Sequence, residues 1–249
     1  MDENHQIFDN TVLINKDGKL NISLYHGTST IFLNSIIKNG LGGFNPVNDW
    51  KLLDLSREVF ELSEKHLKGT AFFELNSGSF ENISKQSNDN NANFQHGDIY
   101  LSPTRFTAAR YAINSAFGSE ILTCSIDFIR ELIKMDIEYV KVELPKKYPG
   151  IFRLLALVPS PLLIEVTSVD SMLLLNEHGE SPASNFEKIL KYMNESPDYM
   201  ESSLTQNNFR LKSPKGLFDL KVWLINTHEF NGFLPRYSLH EIRTDRKTM

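Results

Sequence analysis

The chain has a single cysteine, Cys124, in 249 residues. An internal disulfide is therefore excluded, and so is a zinc site built on thiolates. A reducing compartment suits such a chain. A cationic excess is missing too. Lys and Arg number 26 against 31 Asp and Glu, for a net charge of −5, which excludes a basic coat wrapped on nucleic acid but not a nucleic acid held briefly in a cleft. No apolar run is long. The most apolar stretch, FRLLALVPSPLLIEV (152–166), is broken by Arg153, Pro159, Pro161 and Glu165. It falls short of the roughly 20 residues that a membrane-spanning helix needs. The opening MDENHQIFDN lacks the basic and apolar segments of a secretory signal. The expectation is a soluble, cytoplasmic protein without a membrane partner. Walker, His-Glu-x-x-His, Cys-x-x-Cys and Gly-x-Ser-x-Gly motifs are also absent, and His228-Glu229 stands without further ligands nearby, so no metal site is expected.

The chain is 41% hydrophobic, enough for a sizeable core. Strand-like runs fall at 21–25, 98–101, 119–126, 151–157, 162–168, 218–225 and 236–242, with Cys124 in the run EILTCSI. Helix-like runs fall at about 30–39, 51–68, 103–117, 127–135 and 184–194. The first of these has Ile31, Phe32, Ile36 and Ile37 at helical spacing and Gly40 at its end; the GLGG that begins there reads as a turn. Strands and helices mix without βαβ alternation, which predicts an α+β fold. Two stretches rich in Asn and Ser, 76–97 and 194–208, read as surface loops. The whole predicts one domain over 1–249 with insertions at about 44–96 and 176–214.

Two segments carry chemistry together. LYHGTST (24–30) ends a strand in His26-Gly27-Thr28 and leads through a helix to the Gly40-Leu41 turn. GDIYLSPTRFTAARYA (97–112) places Tyr100 at a strand end and Tyr111 on the helix that follows. This set resembles the ADP-ribosyltransferases of the poly(ADP-ribose) polymerase and diphtheria-toxin branch, known by a His-Tyr-Glu constellation. The resemblance covers about 35 residues directly, and LFDLKVWLINTHEFNGFLPRYSLHEIR (217–243) adds a strand–loop–strand like the family's last two strands.

The resemblance implies a split β-sheet core of two small packed sheets flanked by helices, and NAD+ as substrate. His26, Tyr100 and an acidic residue are the implied catalytic set. His26, Gly27, Thr28, Tyr100, Ser102 and Tyr111 are the implied dinucleotide-binding residues. Tyrosine faces attract a cationic pyridinium ring, a glycine lets backbone approach a carboxamide, and a carboxylate steadies the oxocarbenium-like C1′. Asp219 stands where the family's glutamate belongs, one methylene shorter, with Glu165 and Glu229 as rivals. Ala108 stands where many members carry a serine, with Ser102 or Thr107 able to compensate. The expected reaction is transfer of one ADP-ribose, or NAD+ hydrolysis, not chain elongation. The acceptor is a macromolecule (protein, RNA or DNA), and an antitoxin or inhibitor protein is a possible partner of such a toxin or phage-defence effector. Two alternatives stay open: an ADP-ribose or NAD-binding module, and an RNA 2′-phosphotransferase-like enzyme.

Overall fold

The computed structural model describes residues 13–89, 92–93, 96–212, 217, 219–230 and 235–243. In chain order the elements are β1 (Leu24–Ser29), α1 (Leu33–Asn39), α2 (Pro46–Asp49), α3 (Leu52–His66), α4 (Ala71–Lys85), β2 (Asn88–Asp89), β3 (Ala92–Asn93) and β4 (Tyr100–Leu101). Then come α5 (Arg105–Asn114), α6 (Glu120–Lys134), α7 (Glu138–Lys147), α8 (Pro149–Phe152), β5 (Pro161–Val166) and β6 (Leu174–Asn176). The chain closes with α9 (Ala183–Glu195), α10 (Met200–Ser203), β7 (Phe209–Leu211), β8 (Leu220–Phe230) and β9 (Pro235–Ile242). The fold is α+β, with small antiparallel sheets.

The larger sheet runs β1-β5-β8-β9 and the smaller β4-β7-β6; β2 and β3 pair as a short hairpin. The two larger sheets meet at one residue pair. Tyr25 and Ser102 exchange both backbone hydrogen bonds at 2.7 Å. Beyond that bridge β1 and β4 part. One face of the large sheet carries α5 through Ala108, Ala109 and Ala112 against Leu163 and Ile225. The other face, with Leu162, Ile164 and Val222, joins the main core beneath α3, α4 and α6. Only small residues fit where α5 lies on β1: a Cβ on Gly27 would sit 2.0 Å from the Ala108 carbonyl oxygen.

Four sequence expectations are corrected here. The run 119–126 is not a strand but the first half of α6. Ser119 caps it, its Oγ accepting from the Leu122 N–H at 3.3 Å, and Ile121, Leu122, Ser125, Ile126, Phe128, Ile129 and Leu132 bury one helical stripe. The β-branched residues suggested a strand, but over 15 residues the 3.6 period prevails. The run 151–157 is helical: Pro149 opens α8, and a 3-10 turn covers 153–156. The supposed loop 76–97 begins inside α4. Thr70 caps that helix by accepting from the Phe73 N–H at 3.2 Å, and Phe73, Phe80 and Ile83 bury it despite the polar composition around them. In the second supposed loop, α10 forms at 200–203.

Among the described residues no helix is long and apolar enough to cross a membrane, and no cluster of His, Cys, Asp or Glu could hold a metal ion.

Candidate active site

The cleft opens where β1 and β4 diverge. Because the N–H and C=O of Tyr25 point at Ser102, strand alternation aims those of Gly27, two residues on, to the same side, where the bridge to β4 is not continued. The cavity has a volume of about 280 Å³, close to the lower end of small-molecule sites. Six of the sequence-predicted residues line it: His26, Gly27, Thr28, Tyr100, Ser102 and Tyr111. Segments far apart in sequence thus share one concavity.

His26 ties them together. Its Nδ1 lies 2.9 Å from the backbone oxygen of Tyr100. A carbonyl oxygen only accepts, so Nδ1 carries the hydrogen and donates. Burial lowers the imidazole pKa, and the bond to the Tyr100 carbonyl offsets only part of that. The ring is therefore neutral near pH 7, with a lone pair left on Nε2. His26 is half-buried by surface but surrounded by protein, as expected at the floor of a cleft.

Tyr111 behaves alike. It lines the cleft and is 38% exposed, and burial pushes its phenol up to about 12. Its hydroxyl accepts from the Glu120 N–H at 3.2 Å. The Ser102 and Thr107 hydroxyls, both in the cleft wall, join the cap of α5. Ser102 Oγ lies 3.3 Å from Thr104 Oγ1, which donates to Thr107 Oγ1 at 2.7 Å. Ala108, where many members of the resembling family carry serine, is 4% exposed and pressed against Gly27.

The acidic candidates lie elsewhere. Asp219 is exposed and is not part of the cleft wall; its backbone oxygen accepts from the Thr167 N–H at 3.2 Å. The strand order explains this. β5 separates β8 from β1, which sets β8 roughly 10 Å away. The pairs Leu220–Val166 and Val166–Leu24 put Asp219 level with the start of β1, not with His26. Glu165 is buried and occupied, accepting from Ser23 Oγ at 2.9 Å and Trp223 Nε1 at 3.2 Å. The Glu229 side chain lies outside the described residues.

The acidic side chains that do line the cleft are Asp98, Glu120 and Glu177, joined by a second imidazole, His96; no lysine or arginine is among the described lining residues. Sequence reasoning missed all four. Asp98 lies two residues before Tyr100, the first residue of β4, and Tyr100 pairs with Arg210 of β7. Arg210 Nε lies 2.8 Å from Asp98 Oδ2, a close ion pair not aligned as a hydrogen bond. The backbone N–H of His96 donates to Gln86 Oε1 at 2.6 Å, while its Nε2 is buried without a partner. A signal for His96 existed, a histidine four residues before the key tyrosine, but it lay in the Asn-rich stretch.

These two imidazoles predict a pH dependence. Burial lowers His96 to about 4 from 6.5 and lowers His26 as well. An unfolded chain takes those protons near pH 6.5; the fold takes them only lower. Stability is therefore full above about pH 6.5 and falls as pH drops toward 4, by at most about 1.4 kcal/mol per unit for each histidine. Urea unfolding at pH 7 and pH 5 measures the loss, and His96→Gln flattens it.

No protein-family model, curated protein or solved structure matches the chain.

Proposed function

We propose that the protein is an NAD+-dependent mono-ADP-ribosyltransferase that cleaves the nicotinamide–ribose bond and passes ADP-ribose to a macromolecule. The observation that carries this reading is the joining of His26 to the Tyr100 backbone, 74 residues on, at the floor of a cleft that Tyr111 also lines. Its chemistry suits the substrate. Tyr100 and Tyr111 offer aromatic faces to a cationic ring. The Gly27 peptide groups meet the carboxamide, and the lone pair on His26 Nε2 accepts from a ribose hydroxyl. With no cationic side chain in the described wall, the pyrophosphate falls to the hydroxyls of that wall.

The test is incubation with NAD+ labelled in its adenylate half and separate pools of protein, RNA and DNA, with nicotinamide release followed in parallel. The expected result is label in one pool, and about tenfold weaker NAD+ binding for His26→Ala on calorimetry. No label and no nicotinamide in any pool overturns the reading.

One observation favours a second reading, NAD+-consuming removal of a phosphate from RNA. That chemistry calls for a second histidine and an arginine, and His96 supplies the histidine. Arg210 is not among the residues of the cleft wall and is paired with Asp98, which is; this ranks the reading second. RNA carrying a labelled 2′-phosphate separates the two.

A further inference from the structure

The three carboxylates of the cleft are not equivalent. Asp98 is paired with Arg210 at 2.8 Å. Glu177, just past β6, already has a partner in the fold. Glu120 differs: among the described residues its carboxylate has no hydrogen-bond or ion-pair partner, although its backbone N–H holds the Tyr111 hydroxyl.

Its location is fixed from both sides. Gly118, two residues earlier, turns the chain with φ +80°, and a Cβ there would lie 2.9 Å from Thr28 Oγ1 and 2.8 Å from the Phe32 ring. The turn before α6 is thus pressed onto the end of β1, next to His26-Gly27-Thr28. The hydrogen bond to Tyr111 fixes the other side. Ser119, capping α6, sets the helical path from which the Glu120 side chain leaves. Burial raises the Glu120 carboxyl, which makes it a better proton acceptor than an ordinary carboxylate.

We infer that Glu120 is the catalytic carboxylate of this cleft, taking the place that sequence reasoning gave to Asp219. The inference rests on the NAD+ reading above. As the C1′–N bond breaks, neutral nicotinamide leaves with the bonding pair and positive charge builds on the ribose. The carboxylate steadies that charge. The acceptor adds its own lone pair to C1′, and the proton it loses passes to Glu120 and then to water. The products are ADP-ribosylated acceptor, nicotinamide and one proton.

The experiment compares Glu120→Gln, Glu120→Asp and Asp219→Asn with the wild-type chain, after thermal unfolding has shown each variant folded. For Glu120→Gln, nicotinamide release falls about 100-fold or more, while NAD+ affinity on calorimetry falls far less, by no more than the NAD+-induced shift of the carboxyl midpoint accounts for. Glu120→Asp regains part of the rate, and Asp219→Asn matches wild type. A readout independent of turnover is the titration of the Glu120 carboxyl carbon by NMR. Added NAD+ lowers its midpoint, because a pyridinium beside a carboxylate favours the charged form. Glu120→Gln turning over at the wild-type rate, or a midpoint that NAD+ does not move, overturns the assignment. A wild-type chain that neither binds nor cleaves NAD+ overturns the proposed function itself, and the assignment with it.

Discussion

Replacing Phe128 by alanine lowers the stability of the protein by about 3–5 kcal/mol. Phe128, on α6, is 1% exposed. Its ring stacks on Phe80 of α4 at 4.5 Å and meets Phe72 edge-on at 4.8 Å, with Phe73 at 6.4 Å. Phe80 in turn meets Phe60 of α3 edge-on at 5.8 Å. Phe128 thus docks α6 on α4, and Phe80 carries the contact on to α3; removal of Phe128 leaves a cavity that backbone-linked neighbours fill only in part. Urea unfolding followed by circular dichroism measures the loss. A change under about 1 kcal/mol means that α4 is not docked on α6 in solution. Phe128→Leu, which keeps most of the volume, is expected to cost roughly half as much.

Gly27→Val has an effect of similar size, with a consequence at the cleft. The new Cβ falls 2.0 Å from the Ala108 oxygen and 2.9 Å from the Ala112 nitrogen. Both are backbone atoms of α5, so no side-chain rotation relieves the overlap and the helix must lift from β1. Overpacking of side chains costs about 1–3 kcal/mol, and a clash with backbone lies at or above the top of that range. The same helix carries Thr107 and Tyr111 into the cleft. Loss of stability and loss of ligand binding therefore arrive together, on denaturation and calorimetry respectively. Gly78→Ala is the control. It lies inside α4 with nothing within 4 Å of the added carbon, so it is expected to stabilise by about 0.5–1 kcal/mol. A Gly27→Val chain with wild-type stability removes the packing argument.

The legible part of this protein was the part set by local rules. The helices over 30–39, 51–68, 103–117 and 184–194 and the strands near 162–168 and 236–242 follow from periodicity and from punctuation such as Gly40. His26, Tyr100 and Tyr111 became candidates through the resemblance of the two segments, taken together, to the His-Tyr-Glu family, not through any local rule. What stayed hidden depends on tertiary closure. The alternating pattern of β8 gave a strand, but no local signal says that β5 separates it from β1, and that order alone removes Asp219 from the cleft. Glu120 was masked by the β-branched residues that follow it. Read as a strand, the segment had no reason to bring a carboxylate to Tyr111; as a capped helix after a glycine turn, it does. His96 and α4 were obscured by asparagine and serine, whose abundance hid two aromatics seven residues apart, Phe73 and Phe80.

The sign of the charges in the cleft wall carries one more consequence. A carboxylate such as Glu120, with no ion-pair partner among the described residues, favours a ring bearing a positive charge over the same ring once it has gained a hydride and become neutral. A pocket of this polarity, filled as proposed, discriminates by oxidation state before any contact with the hydride-bearing carbon. Its occupancy then follows the ratio of the oxidised to the reduced dinucleotide rather than their sum.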